Sequence, residues 1–110
     1  MSKRHLIAFI AGSKSHGPEG NGQHDYPWDA RAAAAMLLRS NVGHQVQPLI
    51  FTDGWPSDDT VLDAADAIVL FCDGRDGNHF VEALHLESAQ RIARVEQLMS
   101  RGCGLSIIHF

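Results

Sequence analysis

Four apolar runs alternate with stretches of helical character along this chain, at residues 4–11, 45–51, 67–72 and 104–109. The first run carries Ile7, Phe9 and Ile10, and the third reads Ala-Ile-Val-Leu-Phe-Cys. Such near-continuous runs suit strands covered on both faces, as in a parallel sheet. Between them, residues 28–40 place Ala30, Ala33, Ala34, Leu37 and Leu38 on one helical face. Pro27 suits the first turn of that helix and Gly43 the residue after its end. Residues 57–64 read as a short helix capped by Ser57 or Asp58. Helical character returns from about Phe80, with a break near His85. Ser88 then caps a helix over residues 89–101, with Ile92, Val95 and Met99 on one stripe and Gly102 closing it. Pro48 marks the second strand as an edge strand. The resulting order, β-α-β-α-β-α-β, predicts an α/β fold: a three-layer, Rossmann-like or flavodoxin-like parallel sheet with right-handed crossovers.

The loops are unequal. Those leading from helix to strand are short. Those following the strands are crowded with chemistry: Gly12-Ser13-Lys14-Ser15-His16-Gly17, Thr52-Asp53-Gly54-Trp55-Pro56, Asp73-Gly74-Arg75-Asp76-Gly77-Asn78-His79, and His109. Open α/β sheets bind ligands outside the carboxyl ends of their strands. Residues 12–27, with four Gly, two Pro and two His, form a loop long enough to imply function or mobility.

Composition closes off several classes. At 110 residues the chain is one domain, and its net charge of −4 carries no basic stripe for nucleic acid. No apolar stretch approaches a membrane span, and residues 6–11 are too short for a signal-peptide core, which implies a cytoplasmic protein. Cys72 and Cys103 form neither a CxxC nor a zinc pattern and read as free thiols in a reducing compartment. Gly17, Gly20 and Gly22 do not have dinucleotide-loop spacing, and no Walker loop is present, so no nucleotide is expected. The fourth strand ends the chain with no helix after it. That reads as the N-terminal part of a longer domain, or as a sheet needing a partner, so a homo-oligomer is expected.

Individual residues support two readings each. His16, beside Gly17, is a ligand-binding or proton-transferring imidazole, or a loop histidine bonded to nearby backbone. His109 is a base or metal ligand, or a core histidine. Lys14 can meet an anionic or carbonyl oxygen or remain solvated, as can Arg75. His16, His24, His79 and His109, with Asp25, Asp53, Asp73 and Asp76, offer donors for a divalent metal, although no pair has a known metal spacing. Of these, His16, His24 and His109 are the metal candidates. The same set also suits a polar carbohydrate cleft, with Trp55 as a stacking face. Cys103 mimics a nucleophile turn but precedes its strand, roughly 20 Å from His109 along six extended residues. His5, His44 and His85 read as structural.

Taken in order, Lys14-Ser15-His16-Gly17, His24, Asp53-Gly54-Trp55-Pro56, Ala65-Asp66-Ala67-Ile68-Val69, Asp73-Gly74, Asp76-Gly77 and Gly102-Cys103-Gly104-Leu105 leading to His109 span nearly the whole chain. This pattern resembles the trehalose-utilisation (ThuA-like) family, whose fold is similar to the class I glutamine amidotransferases. It departs at Asn78-His79, where the family has Gly followed directly by His, and it covers only the family's first half. The resemblance implies sugar metabolism, with trehalose or a keto-glycoside as context. It puts catalytic acid–base roles on His16 and His109. It puts substrate contacts on Lys14, Ser15, His24, Asp53, Trp55, Asp73, Asp76 and His79. A histidine at the end of strand four cannot replace a cysteine as acyl acceptor, so cysteine-dependent amidotransfer is not expected. The alternative is a sugar-binding or assembly module of the same fold without a complete active site, and a third is an inert fragment that folds only as an oligomer.

Overall fold

The computed structural model describes residues 3–12, 18, 22–72 and 88–108. Four strands, β1 (His5–Ala11), β2 (Val46–Phe51), β3 (Ala67–Phe71) and β4 (Gly104–Ile108), form one parallel sheet in the order β2-β1-β3-β4. Helix α1 (Tyr26–Leu38) lies between β1 and β2 in the chain, and α2 (Ala89–Ser100) precedes β4. The chain is therefore α/β with a doubly wound strand order. β2 lies to one side of β1 and β3 to the other, so the connections diverge between β1 and β3. That divergence is the switch point where such sheets open a crevice.

Side-chain alternation along the strands builds two cores. Leu6, Ala8 and Ile10 of β1 and Ile68 and Leu70 of β3 face Val95 and Leu98 of α2, joined by Trp55, Leu62, Ala65 and Cys103. Ile7, Phe9 and Ala11, with Val69 and Phe71, face Tyr26, Ala30, Ala33, Ala34 and Leu37 of α1. Phe9 and Phe71 stack across the sheet with ring centroids 6.4 Å apart. Each fully buried aliphatic side chain contributes on the order of 1.5–3 kcal/mol. The helix, sheet, helix layering thus follows from strands that are apolar on both faces. Among the described residues β2 pairs only with β1, and Pro48 sits opposite Ile7 on that edge strand, where its missing N–H costs no ladder bond.

Three local expectations shift. Helix α1 starts at Tyr26 rather than Trp28, with Pro27 in its first turn. Leu38 rolls off its buried face and is 48% exposed, since it lies about 80° around the helix from Ala30. The segment after β2 is a 3-10 turn, Asp59–Leu62, rather than a helix over residues 57–64. Its Asp58 accepts from the Thr60 amide at 3.2 Å and the Thr60 hydroxyl at 2.6 Å. Those two bonds hold the Asp58 carboxyl below its ordinary range. Three aspartates with Thr60 and Val61 favour such local bonding over a helical ladder.

On α2 the buried pair is Val95 and Leu98, while Ile92 and Met99 stay exposed. Leu98 rather than Met99 continues the contact from Val95. Ser88 caps α2 as expected, accepting from the Arg91 amide at 3.1 Å. The helical character expected from about Phe80 lies outside the described residues.

The plain edge of the sheet is closed by polar staples. Asp66 accepts from the Leu6 amide at 2.8 Å through its carboxylate and donates its own amide to the Leu6 carbonyl. Its carbonyl accepts from the Gly104 amide at 3.0 Å. The nearby His5 imidazole lies 3.7 Å from the same carboxylate in an exposed pair, worth little on its own. Arg101 donates to the carbonyls of Leu62 and Ala65, which locks the end of α2 onto the 3-10 turn. Among the described residues, no helix is long and apolar enough to cross a membrane.

Candidate functional site

The strand ends at the opposite edge are tied to one another before their loops diverge. The Gly12 amide donates to the Phe71 carbonyl at 2.9 Å, joining the ends of β1 and β3. The Gly54 amide donates to the Ala11 carbonyl at 2.9 Å, folding the β2 loop over the end of β1. Gly54 has φ +78, and glycine alone adopts that turn without strain. The Cys72 amide donates to the Ile108 carbonyl at 3.3 Å. The carboxyl ends of all four strands are therefore tied to one another along one edge of the sheet.

On the α2 side of the rim a cleft of about 550 Å³ opens beside Trp55, Pro56 and Ser57, with Asp59, Ser88, Gln90 and Arg91 across it. A second hollow of about 420 Å³ shares Trp55, Pro56 and Ser57 and extends past Asp53 and Thr52. These volumes are in the range of small-molecule sites. The polar lining combines two hydroxyls, a carboxylate, an amide and a guanidinium. Such a set can both donate to and accept from a polyol. Asp59 organises one wall: its carboxylate accepts from the Trp55 indole N–H at 3.3 Å and pairs with Arg94 Nε at 3.6 Å. Arg94 also pairs with Asp63. The loop after β2 is thereby anchored to α2.

On the α1 side, His24 and Tyr26 form a second group. His24 sits at φ +46, the one described non-glycine residue in the left-handed region. Holding histidine there costs on the order of 1 kcal/mol, and such strain concentrates at functional positions. Its Nδ1 lies 2.8 Å from the Tyr26 hydroxyl, and the two rings meet edge to face with centroids 5.9 Å apart. Tyr26 is fully buried in the α1-side core, and Asp25 between them is also buried. The imidazole is thus held by a group that cannot move without disturbing α1.

The structure brings Asp53 and Trp55 together on one hollow and places His24 at the same rim over the other face of the sheet. Asp53 is exposed. Trp55 differs from the expected stacking platform: only 9% of it is accessible, because the indole packs with Ala8, Ile10 and Leu70. It offers the cleft a margin rather than a broad face. Lys14, Ser15, His16, Asp73, Asp76, His79 and His109 lie outside the described residues. So do two of the three metal candidates, His16 and His109. The third, His24, has Nδ1 engaged by Tyr26, and no three His, Cys, Asp or Glu side chains among the described residues converge on a common point. The described donors do not make a metal site by themselves.

Tyr26, Ser57, Asp59, Gln90 and Arg91 are site residues that sequence reasoning missed. Tyr26 falls in the loop read over residues 12–27, and Ser57 and Ser88 read only as caps. The proximity of residues 88–91 to the β2 loop is a tertiary fact with no local signature.

Cys103 lies at the plain edge, buried in the α2-side core, and burial pushes its thiol pKa up. Less thiolate is present at any given pH, and the sulfur is shielded. Iodoacetamide at mildly alkaline pH is therefore expected to leave Cys103 unmodified in the native protein and to label it in urea. Peptide mapping of the two samples checks this, and rapid native labelling of Cys103 would contradict its placement.

Comparison with protein-family models, with curated proteins and with solved structures found no match.

Proposed function

We propose that the chain is a ThuA-like protein of an amidotransferase-like fold that binds a carbohydrate, trehalose or a keto-glycoside, at the carboxyl rim of its sheet. The observation that carries this reading is the cleft beside Trp55 and Pro56, whose lining combines hydrogen-bond donors and acceptors with an apolar margin. A sugar presents hydroxyls that both donate and accept, with apolar C–H faces between them. The ordered loop motifs support the same reading from the sequence. Asp53 and His24 contact the substrate from the rim, joined by Lys14, Ser15, Asp73, Asp76 and His79. In the enzymatic form of the proposal, His16 or His109 moves a proton at a sugar carbonyl or hydroxyl.

Isothermal titration with trehalose and with a 3-keto-glycoside, alongside a turnover assay on each, tests the proposal. Saturable binding is expected, weakened by Asp53→Ala. Turnover unaffected by His16→Ala and His109→Ala would remove the acid–base assignment, and binding without turnover would favour a sugar-binding module. The assembly state is part of the proposal. Among the described residues β4 is an outer strand, and it carries Ile107 at 56% exposure, so a homo-oligomer is expected in a native mass spectrum.

A further inference from the structure

We infer that Asp59 is the specificity-determining acceptor of the cleft beside Trp55, and that Arg94 is its positioning residue. The ligand half of this inference rests on the carbohydrate reading; the positioning half does not.

Asp59 lines the cleft together with Trp55, Ser57 and Arg91. An ionised carboxylate only accepts hydrogen bonds, through two oxygens with about four lone-pair sites. Both protein partners of the Asp59 carboxylate fall on Oδ2. The Trp55 indole N–H donates to it at 3.3 Å, and Arg94 Nε lies 3.6 Å away. Among the described residues no donor is bonded to Oδ1. That oxygen is left to accept from an occupant of the cleft.

Arg94 holds this residue from α2. Its Nη2 donates to the Asp59 carbonyl at 3.3 Å, so the guanidinium grips backbone as well as side chain. The same nitrogen pairs with Asp63, and Nη1 donates to Gln97 Oε1 at 2.9 Å. Every guanidinium nitrogen is thus engaged between the 3-10 turn and α2. A carboxylate held in this way meets a ligand without first losing rotamer freedom. A hydrogen bond to an ionised acceptor is also stronger than one to a neutral acceptor. A site built around such an acceptor rejects a ligand with no hydroxyl at that point, because the carboxylate is left unpaired. Charge favours a neutral polyol over an ion: among the described lining residues the Asp59 carboxylate is matched by the Arg91 guanidinium.

The test uses the full chain, 15N-labelled. Its two tryptophans give two indole N–H peaks, and the exposed Trp28 serves as the reference. In ligand-free protein, Arg94→Met should move the Trp55 peak toward that of Trp28, as Asp59 loosens from the indole. A Trp55 peak that stays in place, or moves the other way, overturns the positioning role. Trehalose should shift the Trp55 peak in the wild type and leave Trp28 still. A Trp55 peak unmoved at saturation overturns the ligand half without recourse to any variant. Asp59→Asn offers one acceptor oxygen instead of two, so it cannot serve both the protein donors and the ligand. It should bind trehalose about tenfold more weakly, the loss expected for a hydrogen bond to a charged group. Binding unchanged in Asp59→Asn overturns the specificity role and leaves the carbohydrate reading standing. No trehalose binding to the wild type removes that reading and the specificity role with it, while the ligand-free spectra still decide the part played by Arg94.

Discussion

Gly43→Ala is expected to destabilise the fold by about 3 kcal/mol, lowering the melting temperature by roughly 10–20 °C in a domain of this size. A Cβ added at Gly43 would lie 1.9 Å from the Leu38 carbonyl oxygen and 2.7 Å from its carbon. Both are backbone atoms, so no rotamer change relieves the clash. The turn is also hydrogen-bonded in place: the Gly43 amide donates to the Ser40 carbonyl at 3.0 Å, and the Ser40 amide donates to the Leu37 carbonyl at 3.1 Å. Making room at Gly43, three residues before β2 takes its register on β1, means opening the end of α1. Gly102→Ala provides the contrast. Gly102 has φ +102 with nothing within 4 Å, so its cost is conformational alone, about 1 kcal/mol. Urea denaturation of the two variants measures the difference. Equal midpoints would show that the close approach at Gly43 has been misassigned.

The second large effect is expected at Tyr26. Tyr26→Ala removes a fully buried ring from the α1-side core and should cost about 3–5 kcal/mol, the range for deleting a large core aromatic. Phe9, Phe71 and Ala34 would be left around a cavity. The same change removes the hydroxyl 2.8 Å from His24 Nδ1, so under the carbohydrate proposal the folded fraction should also bind trehalose more weakly. Tyr26→Phe separates the two consequences. It keeps the packing, loses one hydrogen bond worth about 1 kcal/mol, and leaves stability nearly intact. Thermal denaturation followed by near-ultraviolet circular dichroism reads the first effect, and trehalose titration reads the second. A Tyr26→Ala protein as stable as wild type would mean that the α1-side core is not held together by this ring.

The sheet was legible because its strands are buried on both faces. Residues 67–71 and 5–11 carry too few polar side chains to face water, and Pro48 marked the edge. What the residues alone did not reveal depended on neighbours distant in the chain. The stripe on α2 reads equally well through Met99 or Leu98, and only contact with β1 and β3 selects Leu98. Gly43 was read as closing α1, whereas its need for glycine comes from an approach to Leu38 that no propensity encodes. The carboxyl rim was visible as a crowding of Gly, His and Asp, and Asp53, Trp55 and His24 do fall there. The burial of Trp55 was not visible, because an indole after a Gly in a loop carries no sign of the core beneath it. Tyr26 was missed because it fell within the loop read over residues 12–27, where nothing local shows that it begins α1 and packs into the core beside His24.

The central claim, that a carbohydrate is bound at the carboxyl rim, is tested most directly by titrating trehalose into 15N-labelled protein and following the backbone amides. Saturable shifts are predicted at residues 53–57 and 88–91, with smaller ones at residues 24–26. The plain edge around His5, Asp66 and Cys103 should stay still. An absence of shifts at millimolar trehalose, or shifts confined to that plain edge, would contradict the account.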